Sequence, residues 1–150
     1  MEHVLQYPEL HGYLFEDLKP GMRAIISRTI TETDLRNFSG VSGDTNPMHL
    51  NEEYAKQTVF KGIIVHGMLT ASLISAIIGT KLPGPGCIYM GQTLKFLAPV
   101  YVGETVYAVA TVKELNAEKQ RVTLTTQCIV KNKVVIDGEA LIKVPSRKVK

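Results

Sequence analysis

Asp44 and His49 lie five residues apart in the run Phe38-Ser39-Gly40-Val41-Ser42-Gly43-Asp44-Thr45-Asn46-Pro47-Met48-His49. A carboxylate and an imidazole aimed at one small molecule can share a water: the imidazole, with an unperturbed pKa of about 6.5, takes its proton near neutral pH, and the carboxylate orients it. Pro47 fixes its own φ and pushes Asn46 out of the α region. Gly43 admits backbone shapes that other residues resist. The pair is therefore expected on a stiffened, irregular loop. Each residue alone has an ordinary reading. An Asp between Gly and Thr commonly bonds its own backbone in a turn, and a single His is more often a core or surface residue than a base. Asn46 reads as a brace for the loop.

A second constellation, Ile64-Val65-His66-Gly67-Met68, opens an apolar run. The first backbone N–H groups of a helix lack partners inside it and favour negative charge, and a Gly among them lets a ligand carbonyl come close. Gly67 can thus hold a developing oxyanion, or it can simply allow close packing of helix on sheet. His66 reads as structural.

Taken together, Ser42-Gly43-Asp44-x-Asn46-Pro47-x-His49 and His66-Gly67 resemble the MaoC-like (R)-specific enoyl-CoA hydratase family. The similarity continues through Gly86-Cys87-Ile88-Tyr89 and Phe96-x-x-Pro99-Val100-x-x-Gly103-Glu104, so it spans roughly residues 15–145. Met48 is a small departure, since Leu or Ile is commoner there in the family. The resemblance implies an α+β hot-dog fold, with an antiparallel β-sheet wrapped around a central buried α-helix. It implies reversible addition of water to a trans-2-enoyl thioester, with Asp44 and His49 as the acid/base pair and the Gly67 N–H as oxyanion donor. Coenzyme A or an acyl carrier protein would carry the substrate, with no metal and no organic cofactor. Two protomers would pair as a homodimer, or build a higher homo-oligomer. Ser75 and Ile78 would lie beside the acyl chain, and their spacing of three suggests one helical face. A bulky Ile78 would then confine substrates to about four to six carbons, because each extra methylene must displace packed side chains. The rival activities are dehydration of (3R)-hydroxyacyl-acyl carrier protein, thioester hydrolysis on the same fold, and acyl-thioester binding without turnover.

The elements that must position these residues follow from pattern. Leu18-Lys19-Pro20-Gly21 reads as a turn into a strand over 22–30, and Thr31-Glu32-Thr33-Asp34 resembles a capping box opening a short helix with Leu35 and Phe38 inward. Asn51 can cap a second short helix over 52–56. Residues 62–80 are nineteen positions without Asp, Glu, Lys or Arg, long enough for a membrane span. That reading is rejected: His66, three glycines, two serines and two threonines interrupt the run, and the helical part, 67–78, reaches only about 18 Å. A short helix apolar on nearly every side belongs inside a curved sheet. Val106, Ala108, Ala110 and Val112 alternate with more polar neighbours, as do Val122, Leu124, Thr126, Cys128 and Val130. Strands over 88–98 and 134–144 complete the sheet, with turns at 99–103, 116–120 and 131–133.

The 150 residues suffice for one domain with its own core. A composition of 45% hydrophobic and 21% charged residues is ordinary for a globular chain. Net charge is +3, with no basic block except the tail Arg147-Lys148-Val149-Lys150, so nucleic acid is not an expected partner. Cys87 and Cys128 form no ligand or disulfide pattern. Glu2, Glu9, Glu16 and Asp17 rule out a signal- or transit-like start, so the cytoplasm is the expected location and a membrane is not an expected partner. Asp44-x-Asn46-x-Met48 fails as a calcium loop at its third and closing positions, and neither spacing nor chemistry asks for zinc on Asp44, His49 and His66.

Overall fold

A computed structural model describes residues 6–148; Glu2 of the acidic start and Val149 and Lys150 of the basic tail lie outside the described residues. Strand β1, Arg23–Thr29, leads into helix α1, Glu32–Ser42, whose start is set by reciprocal bonds. The Asp34 N–H donates to Thr31 Oγ1 at 3.2 Å, and the Thr31 N–H donates to Asp34 Oδ2 at 2.8 Å. Leu35 is buried and Phe38 half-buried. Two short helices follow, α2 over Pro47–Leu50 and α3 over Glu52–Lys56, the second capped by Asn51 Oδ1 accepting from the Tyr54 N–H.

Helix α4 runs Gly67–Thr80, two residues past the expected end. Its Ile74, Ile77 and Ile78 are at most 1% exposed. They share one core with Val106, Ala108, Ala110 and Val112 of β4 (Thr105–Asn116) and with Val122, Leu124 and Cys128 of β5 (Arg121–Val130). The period-2 alternation thus buries the face it was expected to bury. Strand β6, Lys133–Lys143, pairs with β5, and with β2 over Ile88–Gln92 and β3 over Lys95–Phe96 the antiparallel sheet runs β1-β4-β5-β6-β2, with β3 also on β6. An antiparallel sheet around one apolar helix is the hot-dog arrangement.

Two expectations need correction. Residues 88–98 do not form one strand: β2 covers Ile88–Gln92 and β3 covers Lys95–Phe96. At the break the chain presses on β6 so closely that a Cβ on Gly138 would stand 1.9 Å from the Thr93 carbonyl oxygen. Nor is the stretch from Phe38 to His49 irregular throughout. Helix α1 continues to Ser42 and ends on Gly43 in the left-handed region at φ 79°, so only residues 43–46 are irregular and His49 stands on helix α2.

Candidate active site

Between α1 and α2 the chain turns through Asp44, Thr45 and Asn46. The Asn46 N–H donates to Asp44 Oδ1 at 3.2 Å, and the Met48 N–H donates to Asn46 Oδ1 at 3.2 Å. Asn46 is therefore the N-cap of α2, and Pro47 occupies the first turn where no N–H is needed. Asp44 makes the local turn that its ordinary reading anticipates, yet this engages only one carboxylate oxygen, and the side chain is exposed.

The turn delivers His49 inward, where it is 8% exposed. Its Nδ1 lies 2.7 Å from the Ile64 carbonyl oxygen. A carbonyl only accepts, so Nδ1 carries the proton and Nε2 presents a lone pair. His66, at the N-cap of α4, stacks on His49 with ring centroids 3.9 Å apart and planes 27° from parallel. Its Nε2 is 3.1 Å from the Asp44 carbonyl oxygen and 3.1 Å from Ser39 Oγ, so this nitrogen is the donor. His66 thereby ties α1, the Asp44 turn and the start of α4 together. Burial pushes its pKa below the ordinary value and the adjacent His49 pushes the same way, opposed by the Asp44 carbonyl and carboxylate. A neutral His66 keeps positive charge away from His49.

A carboxylate oxygen of Asp44 and one ring nitrogen from each histidine lie within 4.8 Å of one another. Such a trio could in principle approach a metal ion. His49 Nδ1 and His66 Nε2 are committed to backbone carbonyls, which leaves His49 Nε2 and the unpartnered Nδ1 of His66 as the free ring nitrogens of the trio.

His49 forms part of a cavity of about 460 Å3 whose other walls include Phe60, Gly67, Thr70, Phe96 and Ile136. Gly67 opens α4 there, and Phe96 lies so close above it that a Cβ on Gly67 would meet the ring at 2.7 and 2.8 Å. His49 and Gly67 line this cavity; Asp44 does not, but its carboxylate lies within 4.8 Å of a ring nitrogen of His49, and Asn46, Pro47 and His66 shape the turn and the ring beside it. Ser75 and Ile78 do not join them: neither lines this cavity, Ser75 is exposed, and Ile78 is 0% exposed within the core. Three residues on a helix still differ by about 60° in direction, enough at the margin of a buried face to send one side chain out and the other in. Sequence reasoning gave no site role to Ser39, Phe96 or Thr70. Phe96 opens the motif Phe96-x-x-Pro99-Val100, and Thr70 left a signal as a hydroxyl three residues past Gly67 in an otherwise apolar turn.

Against this geometry, the chain matches the family model of the MaoC like domain over residues 17–134. The chain belongs to the MaoC-like family. It is 56% identical over 135 residues to an (R)-specific enoyl-CoA hydratase of Rhodospirillum rubrum, covering 90% of this chain and 94% of that one. A 3-hydroxybutyryl-CoA dehydratase of Methylorubrum extorquens is 47% identical, covering 93% and 89%. Among solved structures, the (R)-hydratase of A. caviae superimposes with a TM-score of 0.85 at 40% identity, covering 87% of this chain and 99% of that one. An R-hydratase of Pseudomonas aeruginosa reaches 0.87 at 44% identity, covering 93% and 90%. These MaoC-like relatives share the fold along nearly the whole chain.

Proposed function

We propose that this MaoC-like protein is an (R)-specific enoyl-CoA hydratase, a hydro-lyase interconverting trans-2-enoyl-CoA and (R)-3-hydroxyacyl-CoA. The observation that carries the mechanism is the Nδ1 bond of His49 to the Ile64 carbonyl at 2.7 Å, which leaves Nε2 as the base. His49 Nε2 takes a proton from a water that Asp44 orients. The water oxygen bonds to C3 of the enoyl group, and the π electrons move through C2 onto the thioester oxygen. The Gly67 N–H at the start of α4 receives that charge. A proton from the Asp44/His49 pair then goes to C2, so the elements of water are added and the pair is restored. The two groups share one water and act as a unit.

This chemistry needs no metal or organic cofactor. A thiol nucleophile fits poorly, because burial pushes Cys128 up to about 12 and raises Cys87 as well. Among the described residues no helix is long and apolar enough to cross a membrane. We place the enzyme in the cytoplasm, a reducing setting that suits the free thiols of Cys87 and Cys128.

We further propose a homodimer. Met68, Ile88, Met90, Phe96 and Leu97 are 46–59% exposed, and all but Met68 lie on or beside the edge strands β2 and β3. Apolar edges of this kind are normally covered. Light scattering that finds a fully active monomer would overturn the dimer.

The activity is tested by offering the protein a short trans-2-enoyl-CoA, its acyl carrier protein equivalent, and a saturated acyl-CoA. Loss of enoyl absorbance without free thiol supports the hydratase. Preference for the protein-bound substrate makes it an acyl carrier protein dehydratase. Free thiol makes it a thioesterase, and no turnover makes it a binding module.

A further inference from the structure

Thr70 stands one turn inside α4, three residues beyond Gly67, so the two share a helix face and both line the cavity that holds His49. Its side chain is 1% exposed, and its Oγ1 is buried with no hydrogen-bond partner. A helical threonine has an easy remedy, because Oγ1 can bond a carbonyl three or four residues back. Two other hydroxyls of α4 take it: Ser72 Oγ donates to the Leu69 carbonyl at 2.5 Å and Thr80 Oγ1 to the Ala76 carbonyl at 2.6 Å. Thr70 does not, and the His66 carbonyl behind it already accepts from the N–H groups of Leu69 and Thr70. An unpaired buried hydroxyl carries a desolvation penalty that an isosteric valine would avoid. The fold gains nothing from oxygen at this position.

We propose that Thr70 is a further substrate-contacting residue, whose hydroxyl donates to the thioester carbonyl oxygen alongside the Gly67 N–H; this rests on the hydratase reading. The Oγ1 and methyl group of a threonine are nearly isosteric. Rotation about χ1 re-aims the hydroxyl at the cavity wall with no backbone movement. The bond strengthens as charge builds on the carbonyl oxygen during addition at C3, so its effect falls on kcat more than on KM.

The test compares wild type, Thr70→Val and Thr70→Ser on a four-carbon trans-2-enoyl-CoA, with thermal melting of each. Thr70→Val is expected to lower kcat/KM about tenfold to hundredfold, mainly through kcat, and Thr70→Ser to stay within about threefold of wild type. Thr70→Val should melt at or above the wild-type temperature, since it removes an unpaired polar group. Unchanged kcat/KM in Thr70→Val, a loss confined to KM, or a lowered melting temperature would each overturn the proposal. Wild type unable to hydrate the enoyl-CoA would instead remove the hydratase reading and the Thr70 role with it. Active wild type beside unaffected Thr70→Val removes the Thr70 role alone.

Discussion

Gly67→Ala should separate activity from stability more sharply than any other change at the site. The added methyl would stand 2.7 Å from Phe96 Cε1 and 2.8 Å from Cδ1, closer than carbon atoms approach, so the ring must move. Phe96 is 53% exposed on the single protomer but covered in the proposed dimer, so it cannot swing freely outward and the cost of overpacking takes the usual ~1–3 kcal/mol. Alanine is also the better helix former by about 0.8–1 kcal/mol in a helix interior, an offset that applies in part at the first helical position. The net loss is about 1–2 kcal/mol, a melting shift of about 2–8 °C for a chain of this size. Turnover should suffer far more. The methyl stands beside the amide proposed to receive the thioester oxygen, and loss of one such donor typically costs about a hundredfold to a thousandfold. Hydration of a short enoyl-CoA followed by loss of absorbance, with thermal melting alongside, reads both effects. In a Phe96→Ala background the stability cost of Gly67→Ala should shrink while the loss of turnover persists. Near-normal kcat in Gly67→Ala would refute the close approach of substrate to this amide.

Asp44→Asn and His49→Ala should each reduce turnover about a hundredfold to ten-thousandfold with the circular dichroism of the fold preserved, and the double variant should be scarcely worse than either single; independent, multiplying losses would sink the shared water. Burial and the neighbouring His49 hold the His66 pKa down, so the unfolded chain takes up a proton that the folded chain resists. Stability is then full above about pH 6.5 and falls as pH drops through that value toward the lower folded one; His66→Gln should flatten the slope of melting temperature between about pH 7 and pH 5, and equal slopes would reject it. Ile78→Ala should destabilise the fold by about 2–5 kcal/mol in urea, because Ile78 is fully buried in the core; a loss well below that range with a shift toward longer acyl chains would return it to the pocket wall.

Much of the fold was legible because local pattern and tertiary burial agree. Val106, Ala108, Ala110 and Val112 alternate along β4 and are at most 2% exposed, and Thr31 with Asp34 forms the box its spacing suggested. Where neighbours from elsewhere in the chain decide, the pattern failed. The break between β2 and β3 depends on the contact of Thr93 with Gly138, 45 positions apart along the sequence (138 − 93). The end of α1 was equally hidden. Ser39 and Gly40 argue locally against a helix, but Ser39 is buried and its hydroxyl meets His66 27 residues away.

The same division runs through the site. Asp44, Asn46, Pro47 and His49 sit within six consecutive positions, so their meeting around one turn could be read from spacing. What would let His49 act as a base comes from farther off: its tautomer is set by the carbonyl of Ile64, 15 residues downstream, and burial pushes its neighbour His66 toward the neutral form. A motif therefore specifies which groups meet, while the protonation they need is specified by parts of the chain that carry no motif. The orphan hydroxyl of Thr70 belongs to that second class. Its chemical meaning emerges only when every carbonyl within its reach has been accounted for and the cavity before it is known to hold His49 and Gly67.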